Sequence, residues 1–231
     1  MMDATGIKSY FQFQNVDWQA MRSATWETIW MTVVAAILVV IIGLLLGLLL
    51  YQTRNSQNGL LRILNWIVSL LVNVFRSIPF IILIVLLLPV TKDIIGTIIG
   101  PKAAIPSLVI SAAPFYARMV EANLRDIDSG VIEAVTTMGA SNWEVVTKVL
   151  LPESKPALIA GATVTTISLI SYSAMAGAIG AGGLGNLAYL DGFQSNNNTV
   201  TLVATVIIAC IVFIVQFIGD RWVKAIDKRT I

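Results

Sequence analysis

The side chains that usually carry chemistry are scarce in this sequence. There is no histidine, and the single cysteine, Cys210, sits in an apolar run. Histidine-based proton transfer, zinc sites of the His/Cys kind and an intrachain disulfide are therefore excluded. Gly180-Ala-Gly182-Gly183-Leu-Gly185 formally matches G-x-G-x-x-G. As a dinucleotide fingerprint it fails, because no strand precedes it and no acidic residue follows about 20 positions on. Glycines at a tightly packed end of an apolar segment, where backbones touch, explain the run better; a hinge or gate is the other use. No G-x-x-x-x-G-K-[ST] phosphate loop occurs, so the chain lacks the Walker machinery for ATP hydrolysis. No carboxylate falls inside a long apolar run, Glu121 standing nearest, whereas a proton-coupled pump normally needs one there.

One patterned polar stretch, residues 128–152, lies between two strongly apolar halves. Val131, Ile132, Val135 and Met138 recur at helical spacing, and Gly139 then interrupts them. A glycine after the last periodic residue reads as a helix end, since it enters the left-handed conformation without a Cβ clash. Ser141 and Glu144 form an S-x-x-E capping box that starts a second helix. Trp143, Val146, Val149 and Leu150 supply its apolar stripe, and Pro152 is expected to stop it. The segment reads as helix, bend, helix on a membrane surface.

The elements that hold this segment follow from composition. With 57% apolar and 12% charged residues, the chain is far from a soluble domain, where about a quarter of residues are charged. Several runs reach the roughly 20 residues needed to cross about 30 Å of hydrocarbon. The expected fold is an all-α membrane protein with five transmembrane helices, at about 28–53, 60–88, 103–124, 157–185 and 199–219. A polar and aromatic arm, 1–27, precedes a single membrane domain, 28–231, whose loop 125–156 joins spans 3 and 4. Gly43 and Gly47 make a small-xxx-small pair suited to close helix packing within the chain or, second, between two chains. Arg62, Asn65, Ser69, Asn73 and Arg76 share one face of span 2, so that face should avoid lipid. Arg76 either lines a watery cavity or lies near the headgroups, and Pro79 predicts a kink. Thr165, Ser168, Tyr172 and Met175 share a face of span 4, as a polar and soft apolar path or as ordinary helix packing.

Lys and Arg set the orientation. Arg54, Arg62, Arg118, Arg125, Lys148, Lys155, Arg221, Lys224, Lys228 and Arg229 fall on one side, and only Lys8, Arg22, Lys92 and Lys102 on the other. The positive-inside rule puts the 125–156 loop and the C-terminus in the cytoplasm and the N-terminus outside. A net charge of +2 gives no reason to expect nucleic acid.

Glu133-Ala134-Val135, then Gly139, then Val149 and Leu151-Pro152 together resemble the EAA loop of permease subunits of type I ATP-binding-cassette importers. Val135 stands where a second Ala is common, and Val149 where Ile is common. Phe75-Arg-Ser-Ile-Pro-Phe80, the run from Ser171 to Asn186 and Gly219-Asp-Arg221 look like the methionine-importer branch. The resemblance implies that the loop is a coupling helix docking on a cytoplasmic ATPase, through Glu133, Ala134, Val135, Gly139, Ala140, Ser141, Glu144, Leu151 and Pro152. It also implies a second copy of the chain, two ATPases that bind ATP and Mg, an extracytoplasmic substrate-binding protein, and a bacterial cytoplasmic (inner) membrane location. On that reading the chain is no enzyme and binds no cofactor or metal itself. Arg76, Ser168, Tyr172 and Met175 are candidates for the translocation path, and Gly43, Gly47, Gly180, Gly182, Gly183 and Gly185 for helix packing or a gate. A permease for another small amino acid or peptide-like solute, an ion-coupled transporter or channel, and a non-transporting docking protein are the alternatives.

Overall fold

The computed structural model describes residues 6–227; Lys228 and Arg229, part of the basic C-terminus, lie outside the described residues. Among these residues the secondary structure is entirely helical, and five helices are long and apolar enough to cross a membrane. They are Trp18–Thr53, Gly59–Ser77, Pro101–Arg125, Asn142–Gly177 and Asn198–Ile226.

Helix α1, Trp18–Thr53, begins ten residues before the apolar run. The cause is local: Asp17 Oδ1 accepts hydrogen bonds from the N–H groups of Gln19 (2.9 Å) and Ala20 (3.0 Å), a side-chain N-cap. Ahead of it, the 3₁₀ turns Gly6–Phe11 and Phe13–Asn15 lie across the start of the last helix, α10 (Asn198–Ile226). There the buried Thr199 hydroxyl donates to Ser9 O (2.8 Å) and accepts from Gln12 N–H (3.0 Å).

Span 2 departs from the expected single kinked helix over 60–88. It is broken into α2 (Gly59–Ser77), α3 (Phe80–Leu86) and α4 (Leu88–Ile95). Pro79 disfavours helical backbone at the residue before it, and Ile78 is extended, at φ −84° and ψ 125°. Two consecutive non-helical residues make a break rather than a bend, with Pro79 O restarting the chain by accepting from Ile82 and Leu83 (both 3.0 Å).

Helix α5, Pro101–Arg125, is the central rod, and its most extensive packing is against α1. Gly43 and Gly47 face it. A Cβ at Gly43 would stand 2.8 Å from Tyr116 Cδ1, and one at Gly47 2.5 Å from Val120 Cβ. The main core, which includes Met31, Val39, Leu108, Tyr116, Val120 and Leu169, runs along this junction. A second, smaller core joins Val16 and Met21 to Leu184, Leu187 and Val200 at the end that carries the N-terminal arm.

Span 4 also differs from the expected 157–185. After α6 (Ser129–Thr137) and the short α7 (Asn142–Glu144), a π-helical turn, Val145–Leu150, feeds without interruption into α8 (Leu151–Gly177). Pro152 therefore does not stop the helix. A proline normally clashes with the carbonyl four residues back, and the wider π turn immediately before it opens that space, with Leu151 N–H bonding to Val146 O. At its far end α8 stops at Gly177, and the chain turns through Gly180 and Gly182 into α9 (Gly183–Leu187) and a π-helical segment, Ala188–Gln194. Span 5 is longer than 199–219, because the Asn197 side chain caps α10 through Val200 N–H and its last turns carry Arg221 and Lys224 beyond the apolar stretch.

Candidate functional site

The loop between α5 and α8 is built from local hydrogen bonds. Asp128 Oδ1 accepts from Gly130 N–H (2.7 Å) and starts α6. At the other end Gly139 N–H bonds to Thr136 O (3.0 Å) and Ala140 N–H to Val135 O (3.2 Å), the paired bonds of a Schellman motif. That motif requires a left-handed residue, and Gly139 provides it at φ +91°. Ser141 N–H then donates to Glu144 Oε2 (3.1 Å) and Glu144 N–H to Ser141 Oγ (3.4 Å), so both halves of the capping box form.

Counting back from Gly177, about 20 residues cover about 30 Å and reach the neighbourhood of Ala157. The segment 142–156, with Glu144, Lys148, Glu153 and Lys155, is the part of this helix in excess of that length. There the Lys148 ammonium, 2.8 Å from Glu144 Oε1, together with the Ser141 hydrogen bonds, pulls the Glu144 carboxyl down to about 2. It is a fixed anion at any physiological pH.

The two helices have distinct sides. Val145, Val146, Val149 and Leu150 are buried against the core, and Ile132 and Ala140 pack beside them. Glu133 and Ala134 are exposed, Val135 and Leu151 are half-buried, and Pro152 is exposed at the start of α8. Met138 and Trp143 project outward at 86% and 72% exposure, flanking the Gly139 bend. These two large apolar side chains stand exposed beside a charged, hydrogen-bonded bend. A Cβ at Gly139 would meet no atom within 4 Å, so the conformation rather than the space calls for glycine there.

The membrane-path candidates are distributed over two helices. Tyr172 stacks on Phe80, at the start of α3, with ring centroids 4.6 Å apart and planes 11° apart. Ser168 Oγ donates to Val164 O (3.0 Å), which satisfies it within α8, and Met175 is half exposed on the same helix. Arg76 is on the last turn of α2 instead, exposed, with its guanidinium 6.0 Å from the centre of the Phe115 ring. Two other members of the α2 polar stripe, Asn65 and Asn73, bond to neighbouring helices, while Arg62 is exposed. Asn65 donates to Leu50 O (3.0 Å) and Thr53 Oγ1 (2.9 Å), and Asn73 accepts from Arg118, which pairs with the buried Glu121.

The glycine-rich turn is compact. A Cβ on Gly177 would run into the backbone of Gly185 and Asn186, and one on Gly185 into the backbone of Ala174. Gly180, Gly182 and Gly183 have φ of +93°, +77° and +74°. The Glu27 carboxylate accepts from Gly183 N–H (2.8 Å), and Thr28 Oγ1 from Leu184 N–H (2.9 Å). Sequence reasoning missed this clamp, the Phe80 partner of Tyr172 and the Arg118–Glu121–Asn73 group. Of these only Asn73, in its periodic stripe, left a signal that could have been read.

Comparison with known proteins fits this geometry. Residues 43–231 match the family model described as binding-protein-dependent transport system inner membrane component. The methionine import system permease protein MetP of Bacillus subtilis (strain 168) is 55% identical over 217 residues, 94% of this chain and 98% of its own. The D-methionine transport system permease protein MetI of Escherichia coli (strain K12) is 48% identical over 212 residues, covering 92% and 97%. Among solved structures, a chain of the MetNI methionine ABC transporter in an inward-facing conformation superposes with a TM-score of 0.87 at 48% identity, covering 91% of this chain and 97% of that one. The chain belongs to the binding-protein-dependent transport system inner membrane component family.

Proposed function

We propose that two copies of this chain form the membrane path of an ATP-driven methionine importer in a bacterial cytoplasmic membrane. The chain is a permease subunit and not an enzyme; ATP and Mg belong to a separate cytoplasmic ATPase, present in two copies. The N-terminus lies outside and the C-terminus inside, a reading the Lys and Arg distribution supports. Residues 128–152 are the coupling segment, with Met138 and Trp143 entering the ATPase surface and Gly139 setting the angle between the helices. ATP closes the ATPase pair, the two coupling segments approach, and the paired spans change from inward-open to outward-open as rigid bodies. An extracytoplasmic binding protein delivers the amino acid, which passes the face carrying Ser168, Tyr172 and Met175.

The observation that carries this reading is the exposed helix–Gly–helix bend of residues 128–152, in a chain 55% identical to a methionine import permease. Proteoliposomes holding the chain with its ATPase and binding protein should accumulate labelled methionine only when ATP is supplied. Accumulation by the chain alone, or equal inhibition by every unlabelled amino acid offered, would sink it.

A further inference from the structure

We propose that the cleft between the end of α1 and the 128–152 loop binds the phosphate of an anionic phospholipid in the leaflet on that side. The cleft has a volume of about 800 Å³ and is bordered by Tyr51, Arg54, Asn55, Leu61, Arg125 and Asn142, among others. Two features give it this chemistry. Its border carries two arginines and no carboxylate, although Asp126 and Asp128 stand near in sequence; Asp128 is turned to its own helix, accepting from Gly130 N–H. Neither guanidinium forms an ion pair or a side-chain hydrogen bond among the described residues. Each leaves up to five N–H donors in a fork that matches phosphate oxygens.

The cleft also lies where the apolar stretches of α1 and α2 give way to polar sequence. Leu49 and Leu61, from the apolar stretches of α1 and α2, are among its lining residues, and Arg54 and Arg125 stand at the ends of α1 and α5. Basic pockets between membrane helices at headgroup depth take up anionic lipids. An apolar wall continuous with a cationic, hydroxyl- and amide-bearing wall suits a glycerophosphate group with its acyl chain passing down beside α2. A zwitterionic lipid presents the same phosphate with an added cation, and no carboxylate borders the cleft to receive that cation. The site should therefore prefer phosphatidylglycerol to phosphatidylcholine.

The test uses the full chain in nanodiscs of mixed phosphatidylglycerol and phosphatidylcholine, with native mass spectrometry counting lipids retained after mild delipidation. The wild type should hold phosphatidylglycerol preferentially. Arg54→Gln with Arg125→Gln should lower that preference roughly thirtyfold, about fivefold for each charge. Arg221→Gln with Lys224→Gln, an exposed cationic pair at the end of α10, should leave it unchanged. Inorganic phosphate at millimolar concentration should not displace the lipid. Hydrogen exchange on the wild type needs no variant, and residues 51–58 and 125–132 should be slowed by phosphatidylglycerol discs relative to phosphatidylcholine discs. Equal loss in both double variants, no slowing of exchange, or occupancy by inorganic phosphate in place of lipid would each overturn the proposal.

Discussion

Gly139 is the position where one substitution separates the fold from its use. Its φ of +91° lies where an L-residue meets its own carbonyl, at a cost of about 1–2 kcal/mol for an ordinary side chain and up to about 3 kcal/mol for a strained β-branched one. No atom lies within 4 Å of a Cβ placed there, so neighbouring groups add nothing to this cost. Gly139→Val should thus lower the population of the bent loop by roughly five- to 150-fold relative to other arrangements. The spans should fold as before, since the hydrogen bonds of the bend close within the loop. Gly139→Asn is the control, because asparagine tolerates the left-handed region. The assay is methionine accumulated per ATP hydrolysed in proteoliposomes, beside the thermal midpoint of the purified complex. The valine variant should lose most of its uptake per ATP at nearly unchanged midpoint, and the asparagine variant should keep most of it. Equal uptake by the two variants would refute the claim that the bend transmits motion.

Gly47→Ala places a methyl 2.5 Å from Val120 Cβ and 2.7 Å from Ala117 O, so overpacking between α1 and α5 should cost about 1–3 kcal/mol; an unchanged denaturation midpoint in detergent would contradict the packing. Arg118→Leu leaves the buried Glu121 without its cation and should destabilise by about 3 kcal/mol, at the low end for such pairs because Arg118 is partly exposed; thermal unfolding of the purified chain reads it. Tyr172→Ala removes a ring stack worth about 0.5–1.5 kcal/mol beyond its burial, whereas Tyr172→Phe keeps it. If uptake kinetics are unchanged in both Tyr172→Ala and Met175→Ala, that face of α8 is not the path.

Where a feature depends on neighbours along the chain, the sequence by itself determined it. The number of spans is declared by five long, mostly apolar stretches, because the bilayer asks chiefly for length and low charge. The Gly139 turn and the Ser141–Glu144 box follow from residues three to five positions apart, whose hydrogen bonds close inside one loop. Prolines were harder to read, because the same residue can bend, break or sit within a helix. At Pro79 the extended Ile78 turned an expected kink into a break, and at Pro152 a π turn let the helix pass.

Only the tertiary structure decided the partners that lie far apart in the chain. Glu27 and Thr28 bind backbone N–H groups 156 residues away, Ser9 and Gln12 meet Thr199 across the second core, and Tyr172 finds Phe80. A bilayer penalises an unpartnered polar group, but periodicity says only which face such a group occupies. Which helix stands opposite that face is settled by how closely the backbones approach, and here that is set by Gly43 and Gly47 against α5 and by Gly177 against Gly185.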